Sequence, residues 1–174
     1  LVGSEMCIRD RFGWTVKPDG EYWRRVVASP DPLKIVEAES IRAVVDAGII
    51  PVCCGGGGVP VIRDSSTGLY TGAQAVIDKD LCAAILARET GAELLVIATD
   101  VDGVYTDWGT PQQRRIDHAK PSDLERSQFA DGSMGPKVRA ACRFVRRTGQ
   151  RAVIGSLEDI GDIVAGRAGT LIEP

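Results

Sequence analysis

The sequence is poor in the residues on which most recognisable enzyme chemistry depends. It has one histidine, His118, in a polar stretch between Asp117 and Ala119. A Ser-His-Asp triad or a histidine-based metal site therefore has little support, and His118 reads as a solvent-exposed residue. The five cysteines, Cys7, Cys53, Cys54, Cys82 and Cys142, are odd in number and show no CxxC spacing. That indicates neither a zinc site nor a complete disulfide framework. Cys53 and Cys54 end an apolar run, where free cysteine acts as a small hydrophobe, and a reducing cytoplasm is the simplest setting. No apolar run is long enough to span a bilayer. Leu1 to Arg11 mixes Glu5, Arg9 and Asp10 into what would be the apolar part of a signal peptide, so none is expected. A net charge of −3 leaves no concentrated basic face for nucleic acid.

What is present is the material of a soluble α/β protein. The chain of 174 residues, 44% hydrophobic and 26% charged, suffices for one domain with a real core. Residues 1–11 carry no pattern and read as a leader outside the fold, a translation artefact. From Phe12 to Ser29, aromatic and β-branched residues flank Lys17-Pro18-Asp19-Gly20, which predicts a hairpin. Ser29-Pro30-Asp31-Pro32 stops regular structure, and Ile35-Val36 suggests a short strand. Ser40 stands as an N-cap before the helical spacing of Ile41, Val44 and Val45, with Gly48 as the stop. Ile49 to Cys54 is continuously apolar, as a strand buried on both faces is. A second hairpin is expected from Val59 to Gly72, turning near Asp64-Ser65-Ser66-Thr67-Gly68.

A helix follows from Lys79 to Glu89, then a buried strand from Leu94 to Ala98. Trp108 to Lys120 looks loop-like, and a short helix falls near Ser122 to Ser127. A longer helix spans Lys137 to Arg147, Ala152–Ile154 is a strand, Leu157 to Val164 a helix and Thr170–Ile172 a last strand. Buried strands alternating with helices predict an α/β fold with a largely parallel sheet.

In such sheets ligands gather beyond the carboxyl ends of the strands, and four segments fall there. Gly55-Gly56-Gly57-Gly58 leaves backbone N–H groups uncovered for an anion, although four glycines also suit a tight turn. Asp78-Lys79-Asp80 opens a helix. Asp78 or Asp80 can serve as its cap with Lys79 in solvent; alternatively Lys79 meets an anion, with Asp80 orienting its ammonium. Thr99 to Tyr105 ends a buried strand with aspartates suited to a lysine, a ribose hydroxyl or hydrated magnesium; otherwise it is a capped turn with Gly103 supplying positive φ. In Gly132 to Lys137, Pro136 sits at a plausible N1 position and Lys137 in the first turn, where a cation opposes the helix dipole unless an anion lies near. Two lysines converging on a phosphate, with glycine N–H groups, describe phosphoryl transfer.

The segments Trp23-Arg24-Arg25-Val26-Val27-Ala28-Ser29-Pro30, GGGGVPV from Gly55, AVIDKDL from Ala75, TDVDGVY from Thr99 and GSMGPK from Gly132 resemble the carbamate kinase family of the amino-acid kinase superfamily. The resemblance runs in register from about Phe12 to Thr170. It implies an αβα sandwich and reversible phosphoryl transfer between ATP and carbamate, giving ADP and carbamoyl phosphate. By the same resemblance, Lys79 and Lys137 contact the transferred phosphate and Asp80 organises them. Asp100, Val101, Gly103, Tyr105, Met134 and Pro136 belong to the nucleotide site. Mg2+ bridges the ATP phosphates, no metal is held by protein ligands alone, and the full-length protein is a homodimer working in arginine fermentation or related nitrogen metabolism.

Two departures stand out. Gln74 replaces the family's usual glutamate before AVIDKD. The family's opening strand, its glycine-asparagine loop and a further lysine in a protruding lobe have no counterpart. Residues 12–174 are therefore expected to be the carboxyl-terminal, nucleotide-binding part of one domain, with a remnant of the protruding hairpin at 12–29. The rival expectations are a non-catalytic nucleotide-binding fragment and another amino-acid kinase with a different acceptor; GSMGPK and the Trp23–Val27 segment disfavour the latter.

Overall fold

The computed structural model describes residues 13–19, 21–53, 55–127, 129 and 133–174. They form two compact units. One holds the described residues up to Pro30 together with Val59–Ile77; the other holds Asp31–Gly58 and Asp78–Pro174.

The first unit is built from two hairpins. Strands β1 (Val16–Asp19) and β2 (Tyr22–Arg25) pair antiparallel, from Val16 opposite Arg25 to Asp19 opposite Tyr22. The hairpin lies where the aromatic pattern put it, but Lys17, Pro18 and Asp19 belong to β1 rather than to the turn; Gly20 lies outside the described residues. The Arg25 guanidinium stacks 4.4 Å over the Trp14 ring, a cation–π contact. Strands β3 (Val61–Arg63) and β4 (Tyr70–Gly72) form the second hairpin. Its turn is organised by Asp64, whose Oδ1 accepts the backbone N–H of Ser66 and of Thr67, each at 2.8 Å. The Ser66 hydroxyl, which also donates to Oδ1, and after it these backbone bonds hold the Asp64 carboxyl down at about 2, as carboxylates receiving several hydrogen bonds are held.

The second unit contains helix α1 (Ala38–Asp46), helix α2 (Lys79–Thr90) and strand β5 (Leu94–Thr99). The hairpin of β6 (Val104–Thr106) and β7 (Arg114–Ile116) follows, then β8 (His118–Ala119) and helix α3 (Pro121–Leu124). Helix α4 (Met134–Thr148), strand β9 (Arg151–Ser156), helix α5 (Ile160–Val164) and strand β10 (Thr170–Ile172) complete it. The central sheet has the order β5-β9-β10-β8. β5 is parallel to β9 and β10 to β8, whereas β9 and β10 run antiparallel. The sheet is therefore mixed and mostly parallel, within an α/β fold.

Alternation along the strands sorts its two faces. Leu95 and Ile97 of β5, Ala152 and Ile154 of β9 and Ile172 of β10 join Leu81 and Ala84 of α2 and Val138, Ala141, Phe144 and Val145 of α4 in one core. On the opposite face α5 approaches closely. A Cβ at Gly155 would lie 2.8 Å from Ile163 Cδ1 and 2.9 Å from the Gly169 Cα, so only glycine allows that contact.

Five expectations need correction. Ile49–Cys53 forms no strand, and Ile50 and Val52 are 90% and 98% exposed; Cys54 lies outside the described residues. Apolarity marks a segment suited to burial, but among the described residues no strand pairs with it. Ile35-Val36 is not a strand either, and α1 starts after Glu37 rather than Ser40, because Ala38 and Glu39 are themselves good helix formers. Trp108 to Lys120 is not all loop: β7 and β8 are short edge pairings too polar to announce themselves. Helix α4 begins at Met134, three residues before Lys137.

Candidate active site

The connections after α2 and α4 are short, three residues from Thr90 to Leu94 and two from Thr148 to Arg151. Each helix therefore runs back along the strand it precedes, and because β5 and β9 are parallel, both helix N-termini lie at the carboxyl end of the sheet. The sequence terminates each helix firmly at the other end: Gly91 and Gly149 adopt left-handed conformations, φ 73° and 70°, which glycine accepts without cost.

At the start of α2, Asp78 is the N-cap and its Oδ1 accepts the Leu81 N–H at 2.9 Å. Lys79 is the first helical residue and is exposed. Asp80 is buried. Its Oδ2 accepts from Lys137 Nζ at 3.1 Å, with side-chain exposures of 14% for Lys137 and 11% for Asp80. The structure thus corrects the expectation that Asp80 orients the Lys79 ammonium. Neighbouring residues on a helix point about 100° apart, so Lys79 faces outward while Asp80 turns inward to meet α4. Of the two predicted lysines, one is fixed by an ion pair and the other is presented to solvent.

Lys137 occupies the fourth position of α4. Pro136 is at the third position, not the first, and Met134 packs against the core. Ser133 precedes the helix without a capping side-chain bond, and the first turn holds no acidic residue. Gly132 lies outside the described residues. The N-terminus of α4 accordingly offers positive helix-dipole potential beside the Lys137 ammonium.

The Thr99–Tyr105 segment leaves the carboxyl end of β5. Asp100 is exposed and accepts the Thr99 hydroxyl at 3.0 Å; Val101 is half-buried. The Tyr105 hydroxyl donates to Asp102 Oδ1 at 2.8 Å, and that bond is the main cause raising the phenol above its ordinary pKa. The Tyr105 ring meets Trp108 edge-on, centroids 5.2 Å apart. Gly103 is buried but does not have positive φ. What it supplies is room, since a Cβ would lie 2.8 Å from Thr170 Oγ1 and 3.0 Å from Arg115 Nε. Gly55 and Gly56 face open space and form a turn, while Gly57 and Gly58 take φ of 90° and 81°. Among the described residues no hydrogen bond joins this loop, or Thr99–Tyr105, to the Lys137–Asp80 pair.

Two residues that sequence reasoning missed hold this region together. Thr170 is fully buried; its Oγ1 accepts the Val104 N–H at 2.8 Å and donates to the Ile116 carbonyl. Arg115 reaches both Asp102 and the Gly169 carbonyl. Neither stands in a motif, and nothing local marks them. His118 is largely exposed, as expected, with Nδ1 3.7 Å from a Glu173 carboxylate oxygen. Among the described residues no group of three or more His, Cys, Asp or Glu is placed to hold a metal, and no helix is long and apolar enough to cross a membrane.

Known proteins resemble this chain in sequence and in fold. The chain is 53% identical over 169 residues to the carbamate kinase of Escherichia coli O6:H1, covering 97% of this chain and 55% of that one. A solved structure of carbamate kinase from Giardia lamblia bound to citric acid is 37% identical, with a TM-score of 0.87 over 98% of this chain and 54% of the other. The same enzyme bound to AMP-PNP is 38% identical, with a TM-score of 0.79 over 83% of this chain and 52% of the other. The chain spans about half the length of the relatives it matches. Over residues 7–156 it matches the amino acid kinase family as a whole, and it belongs to that family.

Proposed function

We propose that this chain carries the phosphate-handling lysines and the nucleotide side of a carbamate kinase, which transfers a phosphoryl group reversibly between ATP and carbamate to give ADP and carbamoyl phosphate. The observation that carries the reading is the Lys137–Asp80 pair, 3.1 Å long and shielded from water, beside the exposed Lys79 at adjoining helix N-termini. Phosphoryl transfer places charge on the equatorial oxygens of the moving group, and catalysis is chiefly positioning and charge neutralisation. Asp80 holds the Lys137 ammonium in one place before substrate arrives, so little reorganisation is needed when charge develops. Lys79, free to move, follows the group as it passes from donor to acceptor. Of glycines 55–58, Gly55, Gly56 and Gly58 have open space around them and would offer backbone N–H groups to the same anion.

Asp100, Val101, Gly103, Tyr105, Met134 and Pro136 are assigned to the nucleotide, a reading supported by the relative that carries AMP-PNP. A magnesium ion fits as a companion of the phosphates, with Asp100 the exposed carboxylate able to hold it through water, as magnesium sites commonly do; bound there it would neutralise phosphate charge. A homodimer and a cytoplasmic setting in nitrogen metabolism complete the proposal. The reading is tested on the chain fused to the part of the E. coli O6:H1 relative that it does not cover. Lys79→Ala and Lys137→Ala should each lower ATP formation from ADP and carbamoyl phosphate by about a hundredfold or more while leaving the circular dichroism spectrum intact. Turnover like that of the unsubstituted fusion in both variants would sink it. Because the chain alone spans about half of its relatives, a second reading applies to it in isolation: it binds ADP in calorimetry without forming ATP.

A further inference from the structure

Arg115 lies directly across the β6–β7 hairpin from Tyr105 and bonds to two separate pieces of chain. Its Nε is 3.5 Å from Asp102 Oδ2, and its Nη2 donates to the Asp102 carbonyl at 3.4 Å and to the Gly169 carbonyl at 3.3 Å. A fourth contact, Nη1 to Asp117 Oδ1 at 3.3 Å, fixes the remaining side of the guanidinium. Asp102 is thereby held by one carboxylate oxygen while the other takes the Tyr105 hydroxyl. The loop is pinned a second time behind Arg115, where the Val104 N–H meets Thr170 next to Gly169. Gly103 sits between these two clamps, with no room for a side chain. A flat, five-donor guanidinium suits this task, since it can bridge a carboxylate and two carbonyls at once and an ammonium cannot.

We propose that Arg115 is a positioning residue for nucleotide binding: by gripping Asp102 and Gly169 it holds the Asp100–Tyr105 loop, and the Tyr105 phenol in particular, in the shape that receives the nucleotide. This rests on the assignment of that loop to the nucleotide under Proposed function. Arg115 itself need touch no substrate; its effect runs through Asp102.

The test uses the chain as it stands, with ADP as the probe and two measurements. Arg115→Met keeps the apolar stem over Gly103 and removes the guanidinium; Arg115→Lys keeps a charge. Amide hydrogen exchange should quicken across residues 101–106 in Arg115→Met while α4 stays protected. ADP affinity by calorimetry should fall about tenfold, the equivalent of one charge-assisted hydrogen bond. Arg115→Lys should regain part of both, and adding Asp102→Asn to Arg115→Met should cause little further loss, because the two act as a unit. Unchanged ADP affinity in Arg115→Met, whatever the exchange rates, overturns the proposal, as does a fully additive loss with Asp102→Asn. If the unsubstituted chain binds no ADP, the nucleotide assignment itself is what fails, and unchanged exchange at 101–106 would then overturn the clamp as well.

Discussion

Replacing Asp80 by asparagine tests the ion pair on which the site is built, because it keeps the volume and removes one charge. The magnitude follows from burial. Exposed ion pairs contribute less than about 1 kcal/mol, and a fully buried pair that loses one partner costs about 3–5 kcal/mol. With side-chain exposures of 14% and 11%, and an asparagine oxygen still able to accept from Lys137, the loss from the pair is set at about 1.5 kcal/mol. Asp80 is also the second residue of α2, where its charge favours the helix dipole by about 0.5 kcal/mol. The sum, about 2 kcal/mol, lowers the melting temperature of a unit this size by about 4–8 °C, read by circular dichroism at 222 nm. Lys137→Met should cost less, since the carboxylate it strands still faces a helix N-terminus. The double variant should recover part of the Asp80→Asn loss, because neither charge is then buried alone. A drop below 1 °C, or strictly additive single losses, would refute the view that the two groups depend on each other.

Other consequences are open to simpler tests. Gly103→Ala forces a Cβ to within 2.8 Å of Thr170 Oγ1 and should destabilise by about 1–3 kcal/mol, as overpacking does, seen as a lower urea midpoint with an unchanged slope. Asp31 accepts from Arg143 Nη2 at 2.6 Å, with Arg139 at 3.9 Å; the Arg143 bond holds its carboxyl below the ordinary 3.8. A carboxyl depressed on folding stabilises above its unfolded value and loses that effect as pH falls through its folded value. The melting temperatures of Asp31→Asn and the parent should therefore differ at pH 7 and converge in acid. The Cys142 thiol, pushed up to about 11 chiefly by burial on the inner face of α4, should resist alkylation at pH 8 until the chain is unfolded, as peptide mass spectrometry would record.

Much of the architecture was legible because it rests on local signals. The helix after Asp78 is announced by its cap and closed by Gly91; β5 and β10 fall where apolar runs end at turn residues. The segment Ile49–Cys53 misled for a physical reason. Continuous apolarity states what a segment needs, not what covers it, and Ile50 and Val52 stand uncovered among the described residues. The site was half legible. Lys79, Asp80 and Lys137 stand in recognisable segments, but which lysine Asp80 meets depends on two helices packing side by side, bringing together residues 57 apart in the chain. Sequence adjacency pointed to Lys79, and helix geometry turned Asp80 the other way. Arg115 and Thr170 were not legible at all, since the bonds by which each holds the loop run to partners more than ten residues distant.

The two helix N-termini differ in a way that bears on where charge is handled. Helix α2 is satisfied internally: Asp78 caps it, and Asp80 adds a second carboxylate in its first turn. Among the described residues helix α4 has neither, and it carries Lys137 where an acidic residue would ordinarily be favoured. Its first turn is therefore the more electropositive of the two, and Pro136 removes one N–H that would otherwise need a partner. Asp80 offsets part of that potential, but a single carboxylate from the neighbouring helix cannot also satisfy the backbone N–H groups of α4. Under the proposed function, a phosphoryl group at these helix N-termini would meet its strongest field at α4, with the exposed Lys79 as the second cation. The ion pair, under the proposed function, would be a resting arrangement, with Lys137 shared between Asp80 and the phosphate once substrate binds.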